Sequence, residues 1–265
     1  MAKRLYIVSS GAGGTSYITP EAIKALEDCD VVVSYTKYAK ELKELIEGKE
    51  LFTSGMIHEI ERCTQAIEYA SQGKTTCIIS NGDANVYGMA TLIVELMDER
   101  NLWDEVELIS LPGVTSFLAA ASKAGAPVSH DFSIISLSDR LTDINLIDKR
   151  VKAALDCDFV IGIYNPKSKK RILPYQNFLK ALEDGYQDRI AIIASNVGRE
   201  AKEKITITTA QDLIDQDIEH PEVTMSTLII ICNSNARHTK NGKVLIPRGY
   251  LNKYELTGEL KDKWK

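Results

Sequence analysis

The sequence lacks an apolar run of about 18 residues, the length that a membrane-spanning helix needs. Its five cysteines and four histidines occur singly, without the CxxC, HxxH or HExxH spacings typical of metal sites. Acidic residues (37) outnumber lysine and arginine (32), so the net charge of −5 gives no overall basic surface for a nucleic acid. We therefore expect no membrane span, no metal site and no nucleic-acid partner.

The composition is that of a folded protein. Hydrophobic residues make up 44% and charged residues 26% of 265 positions, a balance that builds a core and a solvated surface. At about 150 residues per domain, this length predicts two domains. The first ten residues hold two basic side chains and only a short apolar run, which does not resemble a secretory signal. Since single cysteines are typical of reduced, partly buried side chains, we expect a cytoplasmic protein.

Strand-like and helix-like segments alternate along the chain, which predicts an α/β architecture with a parallel sheet. In the first half, the predicted strands are residues 5–9, 31–34, 76–80 and 106–110, and the predicted helices begin at Pro20 or span residues 57–72 and 87–100. The second half continues with strands at 132–137, 159–164, 190–194, 205–208 and 227–232, and helices at 116–124, 144–154 and 172–183. A Leu-Pro-Gly turn at 111–113 marks the predicted boundary. It gives an N-terminal α/β domain over residues 1–112 and a C-terminal α/β domain over residues 113–265.

Two loops that follow predicted strands carry residues suited to ligand contact. Residues 9–14 read SSGAGG, and their glycines let backbone N–H groups approach a ligand closely. The loop is only loosely similar to a dinucleotide-binding fingerprint, because no acidic residue is well placed after the second strand. Residues 80–90 join another strand to a predicted helix, with Asp83 near the expected N-cap. Taken alone, each loop suits a purely structural role equally well.

Eight motifs occur in order along nearly the whole chain. They are the glycine-rich loop at 9–14, GMIHEIER at 55–62, GDANVYGM at 82–89, PGVT at 112–115, GAPVSHDF at 125–132, ISLSD at 135–139, YNPKSKKR at 164–171 and NVGRE at 196–200. This ordered set resembles the tetrapyrrole methylases. The later motifs resemble one branch of that family, which methylates C17 of a corrin precursor, with ring contraction, in cobalamin biosynthesis.

The resemblance implies the tetrapyrrole methylase fold, a class III methyltransferase of two α/β domains with S-adenosylmethionine in a cleft between them. Such enzymes are usually homodimers. It assigns cofactor contacts to residues that lie in or directly beside five motifs and in one later strand: Ala12, Asn81, Gly82, Asp83, Val86, Thr115, Ser116, Asn165, Gly198 and Thr227. The product of the cofactor would be S-adenosylhomocysteine, and the substrate a polycarboxylate tetrapyrrole such as precorrin-3B or cobalt-precorrin-3.

The chemistry of this reaction indicates further candidates. A substrate bearing many carboxylates calls for cations, and the predicted cationic contacts are Arg62, Lys170 and Arg171. The resemblance adds Met56 and Ser138, which lie in the matching motifs, as predicted substrate contacts. Methyl transfer depends mainly on in-line positioning in a dry site. Ring contraction breaks and forms carbon–carbon bonds and therefore needs a group that moves a proton. The candidates for that group are Asp83, Glu59, Tyr87, His130 and Asp139.

The sequence departs from the family pattern at three positions. Ala12 and Gly14 stand where the first loop usually has proline and aspartate, and Ala84 stands where the second loop usually has proline. Loss of these restraints predicts weaker contacts with the cofactor. Two alternatives to C17 methylation stay open: methylation of another ring carbon, such as C11 or C20, and a non-catalytic nucleotide-binding role.

Overall fold

The computed structural model describes residues 3–264, which form two compact units. The first unit runs to Ala119 and also includes Val197–Ala201, and the second comprises Ala120–Asn196 and the chain from Lys202 onward. The domain limits predicted from the sequence, 1–112 and 113–265, place the boundary earlier. They also leave out the return of the chain to the first unit.

The first unit is built on a five-stranded sheet. Its strands are β1 (Arg4–Ser9), β2 (Val31–Tyr35), β3 (Glu50–Ser54), β4 (Thr76–Ser80) and β5 (Glu107–Leu111). Its helices are α1 (Pro20–Asp28), α2 (Thr36–Glu41), α3 (Glu59–Ser71) and α4 (Ala90–Glu99), and α5 (Ser116–Ala124) spans the change of unit. The strand order is β3-β2-β4-β1-β5, and every pairing is parallel, as the alternation of segments predicts.

Both faces of this sheet are covered by helices, which is why its central strands are almost continuously apolar. Leu5 and Ile7 of β1 pack with α3 and α4 on one face, whereas Val8 packs with α1 on the other. Successive side chains of a strand point to opposite faces, so one strand supplies both cores. This packing fixes the carboxyl ends of β1 and β4, where the two glycine-bearing loops begin.

Two helices of the first unit begin later than the sequence predicts. The helices predicted to start at Ile57 and Tyr87 start instead at Glu59 and Ala90. Ile57 and Tyr87 have φ angles of +68° and +54°. A residue in the left-handed region interrupts a right-handed helix, so each helix begins only after it.

The second unit contains a mixed five-stranded sheet and a small three-stranded sheet. Its strands are β6 (Gly125–Ala126), β7 (Phe132–Ser136), β8 (Val160–Tyr164), β9 (Ile190–Ser195), β10 (Lys204–Thr209), β11 (Thr227–Ile231), β12 (Arg237–His238) and β13 (Val244–Leu245). Its helices are α6 (Ile144–Asp156), α7 (Leu173–Glu183), α8 (Ala210–Gln216) and α9 (Tyr250–Lys253). The larger sheet has the order β10-β9-β11-β8-β7, with only β7 and β8 parallel. The fully buried β11 lies at its centre, as its apolar sequence predicts.

The cysteines differ in burial. Cys29, Cys63, Cys77 and Cys232 are buried and unpaired, and burial raises the pKa of the Cys63 thiol to about 12. These four side chains behave as small hydrophobic groups. Cys157 lies exposed at the C-terminal end of α6, so the expectation of partial burial is wrong for that residue.

The described part of the chain offers neither a membrane span nor a metal cluster. In residues 3–264 the longest helices, α3 and α6, have 13 residues each, and no helix is long and apolar enough to cross a bilayer. Those residues also hold no group of three or more His, Cys, Asp or Glu side chains arranged to bind a metal ion.

An ion pair beside β8 links the stability of the second unit to pH. Asp158 pairs with Arg189 and accepts hydrogen bonds from the backbone N–H (2.9 Å) and hydroxyl (2.7 Å) of Ser234. Partial burial opposes ionisation, but these partners outweigh it and lower the pKa of the Asp158 carboxyl group. The ionised carboxylate therefore stabilises the fold above its unfolded pKa of about 3.9, and this contribution is lost as the pH falls through the folded pKa.

We expect Asp158→Asn to lower the melting temperature more at pH 6 than at pH 3. Asparagine accepts the φ of +56° at this position, so the variant removes the charge without adding backbone strain. Thermal unfolding of both proteins between pH 2 and pH 6 measures the difference. An equal loss of melting temperature at every pH would contradict the assignment of the pH dependence to this carboxylate.

Candidate active site

The loops after β1 and β4 are joined by main-chain hydrogen bonds at the carboxyl edge of the sheet. Gly11 N–H donates to the carbonyl oxygen of Gly82 (3.0 Å), and Gly82 N–H donates to that of Gly11 (2.7 Å). The Asn81 side-chain amide also donates to the Gly11 carbonyl oxygen, at 2.8 Å. Because β1 and β4 are adjacent and parallel, their following loops meet here. Ligands of open α/β sheets bind at this kind of edge.

The Asp83 carboxylate connects these loops through hydrogen bonds. One oxygen accepts a hydrogen bond from Gly113 N–H (3.0 Å), which ties in the loop after β5, and the other accepts one from Asn85 N–H (2.8 Å). Asp83 is not near the N-cap of α4, which is Met89, so that prediction was wrong. The late start of α4 leaves residues 83–89 as a loop, and the carboxylate caps a turn within it.

Ala84 replaces the lost proline restraint with a hydrogen bond. Its N–H donates to the Ser9 hydroxyl oxygen at 2.9 Å, and its side chain is buried. Proline has no N–H and could not make this bond. Ala84 therefore ties the second loop to the end of β1, which offsets the loosening that the sequence departure predicts.

The return of the chain at residues 197–201 packs directly on the glycine-rich loop. A Cβ atom on Gly198 would lie only 1.9 Å from the carbonyl oxygen of Ala12, so only glycine allows this approach. The next residue, Arg199, donates from Nε and Nη2 to the two carboxylate oxygens of Glu41, at 2.9 and 3.2 Å. Its Nη2 also reaches Oδ1 of Asn81 at 3.3 Å. Arg199 thereby orients the Asn81 amide, whose Nδ2 faces Gly11.

Arg199 and Glu41 were not among the predicted site residues. Arg199 lies within the NVGRE motif, which is the one sequence signal for it. Glu41, at the end of a short helix, has no such signal. Their pairing joins positions 158 residues apart, and periodicity and spacing carry no information about contacts of that range.

A cavity of about 260 Å³ opens within the first unit beside the loop after β4. Its walls are formed by aromatic, apolar and charged side chains and by the backbone of that loop: Tyr35, Tyr38, Met56, Glu59, Arg62, Ile79, Ser80, Asn81, Tyr87, Gly88 and Met89. It brings together four predicted residues from two motifs, namely Met56, Glu59, Arg62 and Tyr87, and a fifth, Asn81, which directly precedes the second motif. Sequence alone gave no reason to expect that Tyr35 and Tyr38 would join them.

The cavity wall combines a buried cation with two tyrosines. Arg62 is 5% exposed, and its guanidinium carbon lies 5.8 Å from the ring centre of Tyr35. The rings of Tyr35 and Tyr38 meet edge to face, with centres 5.1 Å apart. Burial raises the pKa of the Tyr38 hydroxyl, so this group stays protonated at neutral pH.

Two predicted residues of the second unit, Asn165 and Arg171, form one hydrogen-bonded group near the carboxyl ends of β7 and β8, and the predicted Asp139 lies beside it. Asn165, with φ of +51°, donates from its amide to the Ser136 hydroxyl (3.0 Å) and accepts from Arg171 through its carbonyl oxygen (2.7 Å). Arg171 also donates to the Leu137 carbonyl oxygen (2.5 Å) and lies 4.0 Å from a carboxylate oxygen of Asp139. Of the neighbouring candidates, Ser138 is half-buried and Lys170 is exposed.

The remaining candidates of the second unit make other contacts. The buried Thr227 hydroxyl donates to the Glu222 carbonyl oxygen (2.7 Å) and accepts from Thr224 N–H (3.0 Å), which commits it to the local turn. His130 is exposed, and its Nε2 lies 2.9 Å from the Pro247 carbonyl oxygen. A carbonyl oxygen can only accept, so this nitrogen carries the proton.

The predicted cofactor residues divide unevenly between the units. Eight fall in the first unit: Ala12, Asn81, Gly82, Asp83, Val86, Thr115, Ser116 and Gly198. Asn165 and Thr227 fall in the second. The loops of the first unit thus gather most of the predicted cofactor contacts at one sheet edge, and the cavity borders the same loops through Asn81.

A parallel α/β unit with glycine loops at its carboxyl edge, followed by a mixed α/β unit, defines the class of this protein. The chain belongs to the Tetrapyrrole (Corrin/Porphyrin) Methylases, whose family model matches residues 4–214. Both the family and the fold predicted from the motifs are confirmed.

The chain is similar to several relatives over most of its length. It is 41% identical to a probable cobalt-factor III C(17)-methyltransferase of Salmonella typhimurium, over 93% of this chain and 99% of that protein. It is 32% identical to a precorrin-3B C(17)-methyltransferase of Sinorhizobium sp, over 89% and 91%. Among solved structures, the crystal structure of the methyltransferase CobJ aligns with a TM-score of 0.84, at 30% identity, over 92% of this chain and 99% of that one.

Proposed function

We propose that this chain uses S-adenosylmethionine to methylate C17 of a precorrin-3B or cobalt-precorrin-3 type tetrapyrrole, with ring contraction, in cobalamin biosynthesis. The observation that carries the proposal is the cavity, because residues of the GMIHEIER and GDANVYGM motifs line it together. The similarity to C(17)-methyltransferases along nearly the full length supports the same reaction. Nothing in the described residues favours C11 or C20 over C17.

The loops of the first unit fit the proposed cofactor. A Cβ atom on Gly82 would meet nothing closer than the Cα of Thr115, at 3.9 Å, so there is open space beside the Gly82 backbone. The Gly82 carbonyl oxygen accepts from Gly11 N–H and keeps a second lone pair, which suits the ammonium group of an amino acid. When bound, the cofactor supplies the methyl group from its sulfonium. The chain supplies position and excludes water, which is what transfer to a carbon nucleophile mainly needs.

Among the five candidates for proton transfer in ring contraction, the geometry favours Tyr87. Tyr87 lines the cavity and carries a hydroxyl group that can transfer a proton. The Tyr87 backbone has a φ of +54°, a strained conformation of the kind that concentrates at functional sites. Asp83 is less suited, because both of its oxygens already accept main-chain hydrogen bonds. Glu59 also borders the cavity and is the second choice, whereas His130 and Asp139 are not among the residues that line it.

The experiment that tests the function has two stages. Calorimetric titration with S-adenosylhomocysteine measures cofactor binding. Incubation with S-adenosylmethionine and either cobalt-precorrin-3 or precorrin-3B then measures product mass. We expect binding and the gain of one methyl group with one of the two substrates, which also decides between the cobalt-containing and metal-free routes. Absence of binding would favour the non-catalytic alternative, and transfer to a different ring carbon would overturn C17.

The assembly and compartment belong to the proposal as well. We propose a cytoplasmic homodimer that takes a polycarboxylate tetrapyrrole as its small-molecule partner. The proposed substrate supports the compartment, since a highly charged macrocycle does not cross a bilayer unaided. Light scattering of the purified chain gives the mass, and a monomer at working concentration would contradict the dimer.

We expect Arg199→Lys to weaken binding of S-adenosylhomocysteine about tenfold. Lysine cannot hold Glu41 at two points and reach Asn81 at once, so the Asn81 amide loses the partner that fixes its orientation. Arg4→Lys is the matched control, because Arg4 also pairs with a glutamate, Glu107, but at an exposed strand position. Equal affinities for Arg199→Lys and the wild type would show that the ion pair does not position the cofactor loop.

A further inference from the structure

Arg62 keeps one edge of its guanidinium available at the cavity. Its Nη1 donates to the Ser54 hydroxyl (3.0 Å) and the Gly55 carbonyl oxygen (2.6 Å), which engages both hydrogens of that nitrogen. Its Nη2 makes a single contact with the described part of the chain, a long one of 3.4 Å with Oε1 of Glu59. Within residues 3–264, no group accepts a hydrogen bond from its Nε. The Nε–Nη2 edge is therefore short of acceptors although the side chain is 5% exposed.

The Nε–Nη2 edge of another arginine, Arg199, shows which group would supply the missing acceptors. In Arg199, Nε and Nη2 hold the two oxygens of the Glu41 carboxylate at 2.9 and 3.2 Å. This two-point arrangement is the strongest that a guanidinium and a carboxylate make, and a guanidinium as buried as that of Arg62 needs such a partner. A carboxylate entering the cavity would complete Arg62 in the same way.

Glu59 fills that role poorly. Its Oε1 lies 3.4 Å from Nη2 of Arg62 and 3.3 Å from the backbone nitrogen of Ile57, both at the long end of hydrogen bonding. Its side chain is 44% exposed, so it can turn into solvent when another carboxylate arrives. Until then it screens the buried cation.

The size and lining of the cavity limit what enters. At about 260 Å³ it is smaller than the roughly 300–1,000 Å³ of pockets that hold a whole drug-sized ligand. A tetrapyrrole macrocycle is larger still, so only a side arm fits. Apolar surface from Met56, Ile79 and Met89 suits the methylene carbons of such an arm.

We propose that this cavity binds one carboxylate-bearing side arm of the tetrapyrrole, with the carboxylate on the Nε–Nη2 edge of Arg62 and Glu59 displaced. The inference rests on the proposed function, which makes a polycarboxylate tetrapyrrole the ligand. It makes Arg62 a specificity-determining residue, because a substrate whose arm at that position is esterified or amidated loses the ion pair.

The test measures binding of a fluorescent octacarboxylate porphyrin to the full-length protein without cofactor. We expect Arg62→Lys to raise the dissociation constant at least tenfold, because lysine offers a single point of contact. We expect Glu59→Gln to lower it severalfold, because the competing charge is gone while the contacts of Arg62 with Ser54 and Gly55 remain. Arg4→Lys, whose side chain does not border the cavity, should bind like the wild type.

The two variants are expected to change the dissociation constant in opposite directions, and this difference distinguishes a binding role of Arg62 from a structural one. Loss of fold in Arg62→Lys would appear as a lowered melting temperature, and Glu59→Gln then decides the question. Equal or weaker porphyrin binding by Glu59→Gln, or no porphyrin binding by the wild type, would overturn the inference. Methyl transfer by the wild type, assayed separately, tells whether the proposed function still stands when the side-arm inference falls.

Discussion

Gly198→Ala is expected to destabilise the first unit by about 2–4 kcal/mol and to weaken S-adenosylhomocysteine binding more than tenfold. The new Cβ would lie 1.9 Å from the Ala12 carbonyl oxygen and 2.9 Å from that of Gly13. Overpacking of this kind costs about 1–3 kcal/mol, and the φ of +76° adds about 1 kcal/mol for a residue other than glycine. The strain is relieved only if residues 197–201 move off the glycine-rich loop. Thermal unfolding and calorimetric titration measure the two effects.

Gly242→Ala is the control for that substitution. Gly242 has a nearly identical φ of +78°, but a Cβ there would meet nothing within 4 Å. Both variants therefore carry the same backbone strain from a positive φ, but only Gly198→Ala places a Cβ atom against the glycine-rich loop. If both variants lose the same stability and bind S-adenosylhomocysteine equally well, the close approach of Gly198 has no part in cofactor binding.

Tyr87→Phe should lower kcat by about 10²- to 10⁴-fold, the usual contribution of a positioned proton-transfer group, while leaving the affinity for S-adenosylhomocysteine unchanged. The substitution removes only the hydroxyl oxygen, so the ring at the cavity wall and the φ of +54° are kept. Single-turnover measurement of ring-contracted product separates this step from binding.

Tyr186→Phe is the matched control for Tyr87→Phe. It also removes one tyrosine hydroxyl, here one that donates to Asp156 at 2.7 Å, but the residue does not border the cavity. We expect its kcat to equal that of the wild type. A loss in Tyr87→Phe no larger than in Tyr186→Phe would transfer the proton-moving role to Glu59.

The parts of the fold that depend on local pattern could be predicted from the sequence. The central strands β1, β4 and β11 are apolar on both faces, and their limits were predicted to within a residue. The short helix α2 and the edge strand β3 were missed. Only one residue of α2 is buried and none of β3 is. Neither segment therefore carries the regular spacing of apolar residues from which a buried helix or strand is predicted.

The candidate site was only partly accessible from the sequence, for a different reason. The motif residues Glu59, Arg62 and Tyr87 were found through the resemblance, but their meeting in one cavity depends on the helices beginning late, after Ile57 and Tyr87. Left-handed conformations at a β-branched and an aromatic residue run against local preference, and only the surrounding structure imposes them. The contact of Arg199 with Glu41 depends on tertiary packing alone.

The return of residues 197–201 also sets an order of events during synthesis. A ribosome makes the first 119 residues well before it makes Arg199, so the nascent first unit has its sheet but no cover for the glycine-rich loop. Completion of the loop must wait until most of the second unit has emerged. A fragment ending at Ala119 would for the same reason lack part of its own surface, and supplying residues 197–201 through a short tether is the way to restore it.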